Sequence, residues 1–126
     1  MRISENIKIT KNMVVDFSNL TGDKNPIHLD DDYAKKTIFG RTIVHGMLLS
    51  GFISKIIAEK YPGEGSIYLK QILNFKNPCF VDDVISVNVE LKEKIQNKFY
   101  LKTTILRDDV VIIDGDAIVL NQNKIN

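Results

Sequence analysis

Thiol chemistry is almost missing from this chain, which holds one cysteine, Cys79, in 126 residues. A lone cysteine closes no disulfide within one chain, and zinc or redox sites of the Cys-x-x-Cys kind are excluded. A dominant charge is missing too. The 17 Lys and Arg residues offset 16 Asp and Glu, leaving a formal charge of +1. No general electrostatic case for a nucleic-acid partner follows from that balance. No apolar run approaches the roughly 18 residues of a membrane span. Residues 1–10 lack an apolar core of signal-peptide length. The expected address is cytoplasmic, with neither membrane nor nucleic acid as a partner. Repeats and low-complexity tracts are absent.

What is present is ordinary for a globule: 44% hydrophobic and 26% charged residues. The length suits one core, so residues 1–126 are read as a single domain. Ile7 to Ile9 read as a short strand, and Lys11 to Asn19 as a short helix with Met13, Val14 and Phe17 on one face. Leu20 to His28 crowd Gly, Asp, Asn and Pro together and read as a loop. Asp30, Asp31 and Asp32 read as an acidic first turn of a short helix rather than a metal site.

The longest helical pattern runs from about Val44 to Tyr61, stopped by Pro62 and Gly63. Its apolar residues cover more than one stripe, so it is expected to be mostly buried. Gly46, Ser50 and Ser54 fall at i, i+4 and i+8, a narrow strip where a backbone or a ligand can come close. Everything after Gly65 reads as sheet. Val84 to Lys92 alternates, with Ile85, Val87, Val89 and Leu91 on one face. Val110 to Leu120 reads as one long strand with a bulge at Asp114-Gly115. A helix apolar nearly all round needs something wrapped about it. The economical answer is an α+β fold, a curved antiparallel sheet around one long helix.

The densest polar cluster is Thr21 to His28. Asp23 and His28 lie five residues apart in a Pro-braced segment, where Pro26 fixes its own φ and restricts Asn25. A carboxylate and an imidazole aimed at one water supply a base and an acid near neutral pH. By residue type alone the same string also fits a capped turn with an exposed histidine. Ser50 and Ser54 sit on a helix with no adjoining base, so no serine hydrolase is read here. Cys79 reads as packing or surface material rather than a nucleophile.

The string Phe17-Ser18-Asn19-Leu20-Thr21-Gly22-Asp23-Lys24-Asn25-Pro26-Ile27-His28 resembles the hydratase 2 motif of the MaoC-like hot-dog family. Phe39-Gly40-Arg41-Thr42-Ile43-Val44-His45-Gly46-Met47-Leu48 resembles the family's segment leading into its central helix. Gly65 to Leu69 and Phe75 to Pro78 resemble its strand segments. The likeness spans roughly residues 8 to 120.

The resemblance implies a hot-dog fold and a definite reaction. Water adds reversibly to a trans-2-enoyl thioester, giving the (R)-3-hydroxyacyl thioester. Asp23 and His28 match the family's catalytic pair. Gly46 matches the residue whose backbone N–H binds the thioester oxygen, and Ser54 a polar helix residue that helps organise the aspartate loop. Asn25 supports that loop. An unpaired N–H at a helix start suits an oxyanion, so the helix is expected to begin between residues 43 and 46. His45 is read as a hydrogen-bonded histidine at the helix start, without a catalytic role. Lys70, Lys76 and Arg41 are read as solvated surface rather than as CoA contacts. No metal and no cofactor beyond the substrate's own CoA is expected. The acyl group could arrive on CoA or on acyl carrier protein. A single hot dog leaves an edge strand and an apolar flank, so a homodimer is expected. The competing readings are a hot-dog acyl-CoA thioesterase and a non-catalytic acyl-thioester-binding module.

Overall fold

The computed structural model describes residues 1–123. The chain begins with β1 (Arg2–Lys8) and continues through four helices, α1 (Lys11–Thr21), α2 (Pro26–Leu29), α3 (Asp31–Lys35) and α4 (Gly46–Glu59). Four strands follow, β2 (Ile67–Phe75), β3 (Val84–Ile95), β4 (Lys98–Arg107) and β5 (Val110–Leu120). All pairings are antiparallel, and the sheet order is β1-β3-β4-β5-β2. The order puts β1 and β2 at the two edges.

Three of the four described helices start at a side-chain cap; α4 starts at His45 without one. Thr10 Oγ1 accepts the Met13 N–H at the start of α1, and Asp30 does the same for Tyr33 at α3. Asn25 caps α2 through the Ile27 N–H, with Pro26 in the first helical position. The segment 20–28 is therefore not all loop: His28 rides on a four-residue helix. Gly22 closes α1 in the left-handed conformation at φ 81°, its N–H donating to Ser18 O. That turn releases Asp23 from the helix axis.

The core lies between one face of α4 and the concave side of the sheet. Leu49, Ile53, Ile56 and Ile57 pack against Val87, Leu101 and Val119 among others. This is the curved sheet around one helix that defines a hot-dog arrangement, and α4 begins at Gly46, inside the expected window. The expectation of a mostly buried helix is corrected: Met47 is 58% exposed, and Gly51, Ser54 and Ala58 are exposed along the same flank. The sheet wraps only one side of α4 within the chain.

The strands carry two further details. Asn88 lies opposite the apolar face of β3 yet is buried because β1 covers it, and it accepts hydrogen bonds from Arg2 and Ser4. β5 is one continuous strand, but Gly115 is in register with Leu73 and Thr103, so no bulge sits there. The glycine answers a different need: a Cβ at 115 would overlap the Ile72 carbonyl of β2. The register shift of β5 against β4 falls between Ile113 and Val111 instead. None of the described helices is long and apolar enough to cross a membrane.

Candidate active site

Three backbone-anchored pieces meet at the N-terminus of α4. Residues 41–45 run in extended form into the helix. They are held on one side by the Ile43 N–H donating to Ile27 O at 3.1 Å, and on the other by the Val44 N–H donating to Cys79 O at 2.8 Å. That clamp brings α2 and its His28 against the start of α4. The Nδ1–H of His28 donates to the Ile43 carbonyl at 2.7 Å. A carbonyl can only accept, so Nδ1 carries a proton, and in the neutral ring Nε2 is the nitrogen with the lone pair. His28 is half-buried and lines a cavity of about 270 Å³, together with Gly46, Phe39, Leu49, Phe75 and Ile112.

Asp23 stands at the mouth of this arrangement. Its Oδ1 accepts the Asn25 N–H at 3.4 Å, while the Asp23 N–H donates to Thr21 Oγ1 at 3.1 Å. The carboxylate, a His28 ring nitrogen and a His45 ring nitrogen all lie within 4.8 Å of one another. Gly46 is the first residue of α4, so no carbonyl four residues back in the helix takes its N–H. The helix dipole adds positive character at the same point. A Cβ on residue 46 would overlap the Phe75 ring, so glycine is the residue that lets Phe75 lie over the helix start.

The structure puts Asp23 beside His28, with Asn25 capping the helix that carries His28, and sets His28 and Gly46 on the wall of one cavity whose lining does not include Asp23. It does not bring Ser54 to them. Ser54 is exposed on the free flank of α4 and has no hydrogen-bond partner among the described residues. It lines a second cavity of about 460 Å³ with Met47, Ser50, Gly51 and Leu69.

His45 is a hydrogen-bonded histidine at the helix start, as expected, and its partners come from α1 and the Asp23 loop. It is 2% exposed, its Nε2 lies 3.2 Å from the Asp23 carbonyl oxygen and 3.1 Å from Ser18 Oγ, and its ring stacks on His28 at 3.8 Å. Burial holds its pKa below the usual histidine range, against the opposing pull of the hydrogen bond to Asp23. Phe17 covers the ring from another side at 4.8 Å. Ser18 and Phe17 lie inside the quoted motif, but nothing in their spacing announces a partner 27 residues away.

The Asp23, His28 and His45 trio has the residue types of a metal site. Ring nitrogens bind a metal through in-plane lone pairs. Two rings stacked at an interplanar angle of 28° aim those lone pairs side by side rather than at one point. His28 Nδ1 and His45 Nε2 are also already engaged with carbonyls. Cys79 is buried in the cavity wall and burial pushes its thiol up to about 12, which removes it as a nucleophile at neutral pH. Arg41 lies 3.6 Å above the Phe80 ring.

Residues 1–111 match the family described as MaoC like domain. The chain belongs to the MaoC-like domain family. Among the relatives of this MaoC-like chain is the 3-hydroxybutyryl-CoA dehydratase of Methylorubrum extorquens. It is 40% identical over 114 residues, covering 89% of this chain and 73% of the relative. The (R)-specific enoyl-CoA hydratase of Aeromonas caviae is 41% identical over 109 residues, covering 84% and 81%. The solved structure of the A. caviae (R)-hydratase involved in PHA biosynthesis superimposes with a TM-score of 0.91 at 35% identity, over 96% of this chain and 94% of that one. The hot-dog fold of the MaoC-like chain is thus shared with a protein of related sequence.

Proposed function

We propose that the protein adds water reversibly across a trans-2-enoyl-CoA, giving the (R)-3-hydroxyacyl-CoA, and runs the same step backwards as a dehydratase. The observation that carries this reading is the convergence of the Asp23 carboxylate and a His28 ring nitrogen within 4.8 Å, beside a helix-start N–H at Gly46. The names of the relatives support the same class of reaction.

The chemistry follows from where charge develops. The β-carbon of an enoyl thioester is electrophilic only if its carbonyl oxygen can take up negative charge. The Gly46 N–H, with the dipole of α4 behind it, is fixed in place to receive that charge. A water held between Asp23 and His28 places its oxygen toward the β-carbon. His28 Nε2 accepts one water proton as the new C–O bond forms, and the π electrons move to the thioester oxygen. The imidazolium then returns that proton to the α-carbon on the same face, and the carbonyl re-forms. Asp23 accepts the other water hydrogen and stabilises the transient charge on His28. The thioester supplies the electrophile and the two side chains handle the proton, so the proposed reaction needs no cofactor. CoA is the proposed carrier, in keeping with the names of both relatives, and the proposed address is cytoplasmic.

A homodimer completes the proposal. β2 is an edge strand whose exposed residues include Ile67, Leu69, Ile72 and Phe75, beside the exposed Met47 of α4. Open edges with apolar side chains invite pairing with another chain. A second copy related by a two-fold axis covers its own equivalent at the same time. Ser54 lies about 12 Å along α4 from Gly46 at 1.5 Å per residue. Its proposed role in organising an aspartate loop therefore falls to the loop of the second copy. Leu69→Glu is expected to give a monomer by analytical ultracentrifugation. A dimer in that variant would place the interface elsewhere.

The functional test is hydration of crotonyl-CoA, followed by loss of the ultraviolet absorbance of the conjugated thioester. Turnover by the wild type with consumption of the enoyl group supports a hydratase. Release of free CoA thiol with the double bond intact would instead favour a thioesterase, and binding without turnover a non-catalytic module.

A further inference from the structure

Resting on the hydratase reading above, we propose that His45 is a positioning residue for the reaction: its Nε2–H pins the Asp23 carbonyl while its ring backs His28. Four observations meet in this one side chain. It is 2% exposed, so its contacts are made inside the protein and not by mobile surface atoms. Its Nε2 lies 3.2 Å from the Asp23 carbonyl, an atom that can only accept, so the proton is on Nε2. The Ser18 hydroxyl at 3.1 Å is a second acceptor for the same proton, tying α1 to the loop that leaves it. The ring then stacks at 3.8 Å on His28, whose own proton is turned the opposite way onto Ile43.

The sequence neighbours make the arrangement directional. His45 is covalently joined to Gly46, whose N–H is the proposed oxyanion donor. One rigid junction thus fixes the carboxylate, the imidazole and the N–H relative to each other. Neutrality of His45 follows from its Nδ1, which is buried and has no hydrogen-bond partner among the described residues. A proton there would bury a charge with nothing to receive it. Asp23 and His28 are the titratable groups acting on it. When His28 takes up a proton, it meets a neutral π face rather than a second cation.

Two substitutions separate the donor from the ring. His45→Phe keeps a stacking ring and loses the Nε2–H, whereas His45→Gln keeps an N–H near that place and loses the ring. In the donor-centred role, His45→Phe lowers kcat about 100-fold with KM nearly unchanged, the scale of a small misplacement of reacting groups. His45→Gln recovers most of that loss. A His45→Phe protein that folds and turns over like wild type would overturn the proposal, as would a His45→Gln protein no better than His45→Phe.

A measurement independent of turnover covers the case in which the phenylalanine variant does not fold or the wild type hydrates no enoyl-CoA. Nitrogen NMR of histidine-labelled wild-type protein should show His45 neutral with its proton on Nε2. A proton on Nδ1 in the neutral ring would contradict the positioning role. Absence of hydration together with the expected tautomer would instead sink the hydratase reading and leave the anchoring of Asp23 standing.

Discussion

The two histidines of this protein stack on one another at 3.8 Å, yet the chain around them gives them opposite wiring. His28 sits on a short capped helix, gives its Nδ1–H to the Ile43 carbonyl and lines the cavity. His45 sits in the core at the head of α4 and gives its Nε2–H to the Asp23 carbonyl. In each case a backbone carbonyl chooses the tautomer, and the tautomer chooses the job. In the proposed reaction, the ring of His28 exchanges the water proton. The other is left as a neutral, buried hinge pin. Residue type alone does not separate these roles; the partner of each nitrogen does.

The contrast is broken most severely at the working pair. His28→Ala and Asp23→Asn are each expected to lower kcat for crotonyl-CoA hydration about 10³-fold, the usual scale of general acid–base catalysis. Their thermal unfolding should stay close to wild type, because Asp23 is exposed and His28 only half-buried. Near-normal turnover in either variant would remove that residue from the chemistry. Gly46→Ala comes next. The added methyl must displace the Phe75 ring, which is 55% exposed and free to swing into the cavity mouth. Steady-state kinetics should show kcat/KM down about 100-fold with the fold intact.

A gentler perturbation acts on the support of His28. Asn25→Ala removes the cap of α2, a loss of about 1 kcal/mol in local stability. About a fivefold fall in kcat should follow, with KM little changed, as α2 frays and His28 spends less time on Ile43.

The smallest effect is read from stability against pH. The folded pKa of His45 lies below its unfolded value, so the unfolded chain binds the extra proton first. The contribution is fully present above the unfolded value near 6.5, and is lost as pH falls from there toward the folded pKa. Calorimetry between pH 7.5 and 5 should show a fall in Tm that is shallower in His45→Gln. An identical slope in both proteins would mean that His45 titrates normally.

Much of this was readable from residue order, and the rest failed for physical reasons. The alternation of β3 and the start of α4 at Gly46 are local patterns, and the chain follows them. Asp23, Asn25 and His28 were legible as a cluster because five residues of Pro-braced chain cannot spread far. Readings went astray where they depended on distant partners. Gly115 looked like a bulge, but its reason is the Ile72 carbonyl on a strand some forty residues earlier in the chain. The apolar residues around α4 implied a mostly buried helix, yet one chain wraps only one face, and the other belongs to the proposed dimer. His45 is the hydrogen-bonded histidine at the helix start that was expected, but its partners, Ser18 and Asp23, lie 27 and 22 residues away and residue order does not name them.

The most direct test of the proposed chemistry is hydration of crotonyl-CoA in D2O, with the configuration of both new centres read by chiral chromatography and NMR. Delivery of water and proton from one His28–Asp23 constellation predicts the (R)-3-hydroxy product with deuterium at the α-carbon added to the same face as the hydroxyl. An (S)-alcohol, or deuterium on the opposite face, would contradict it.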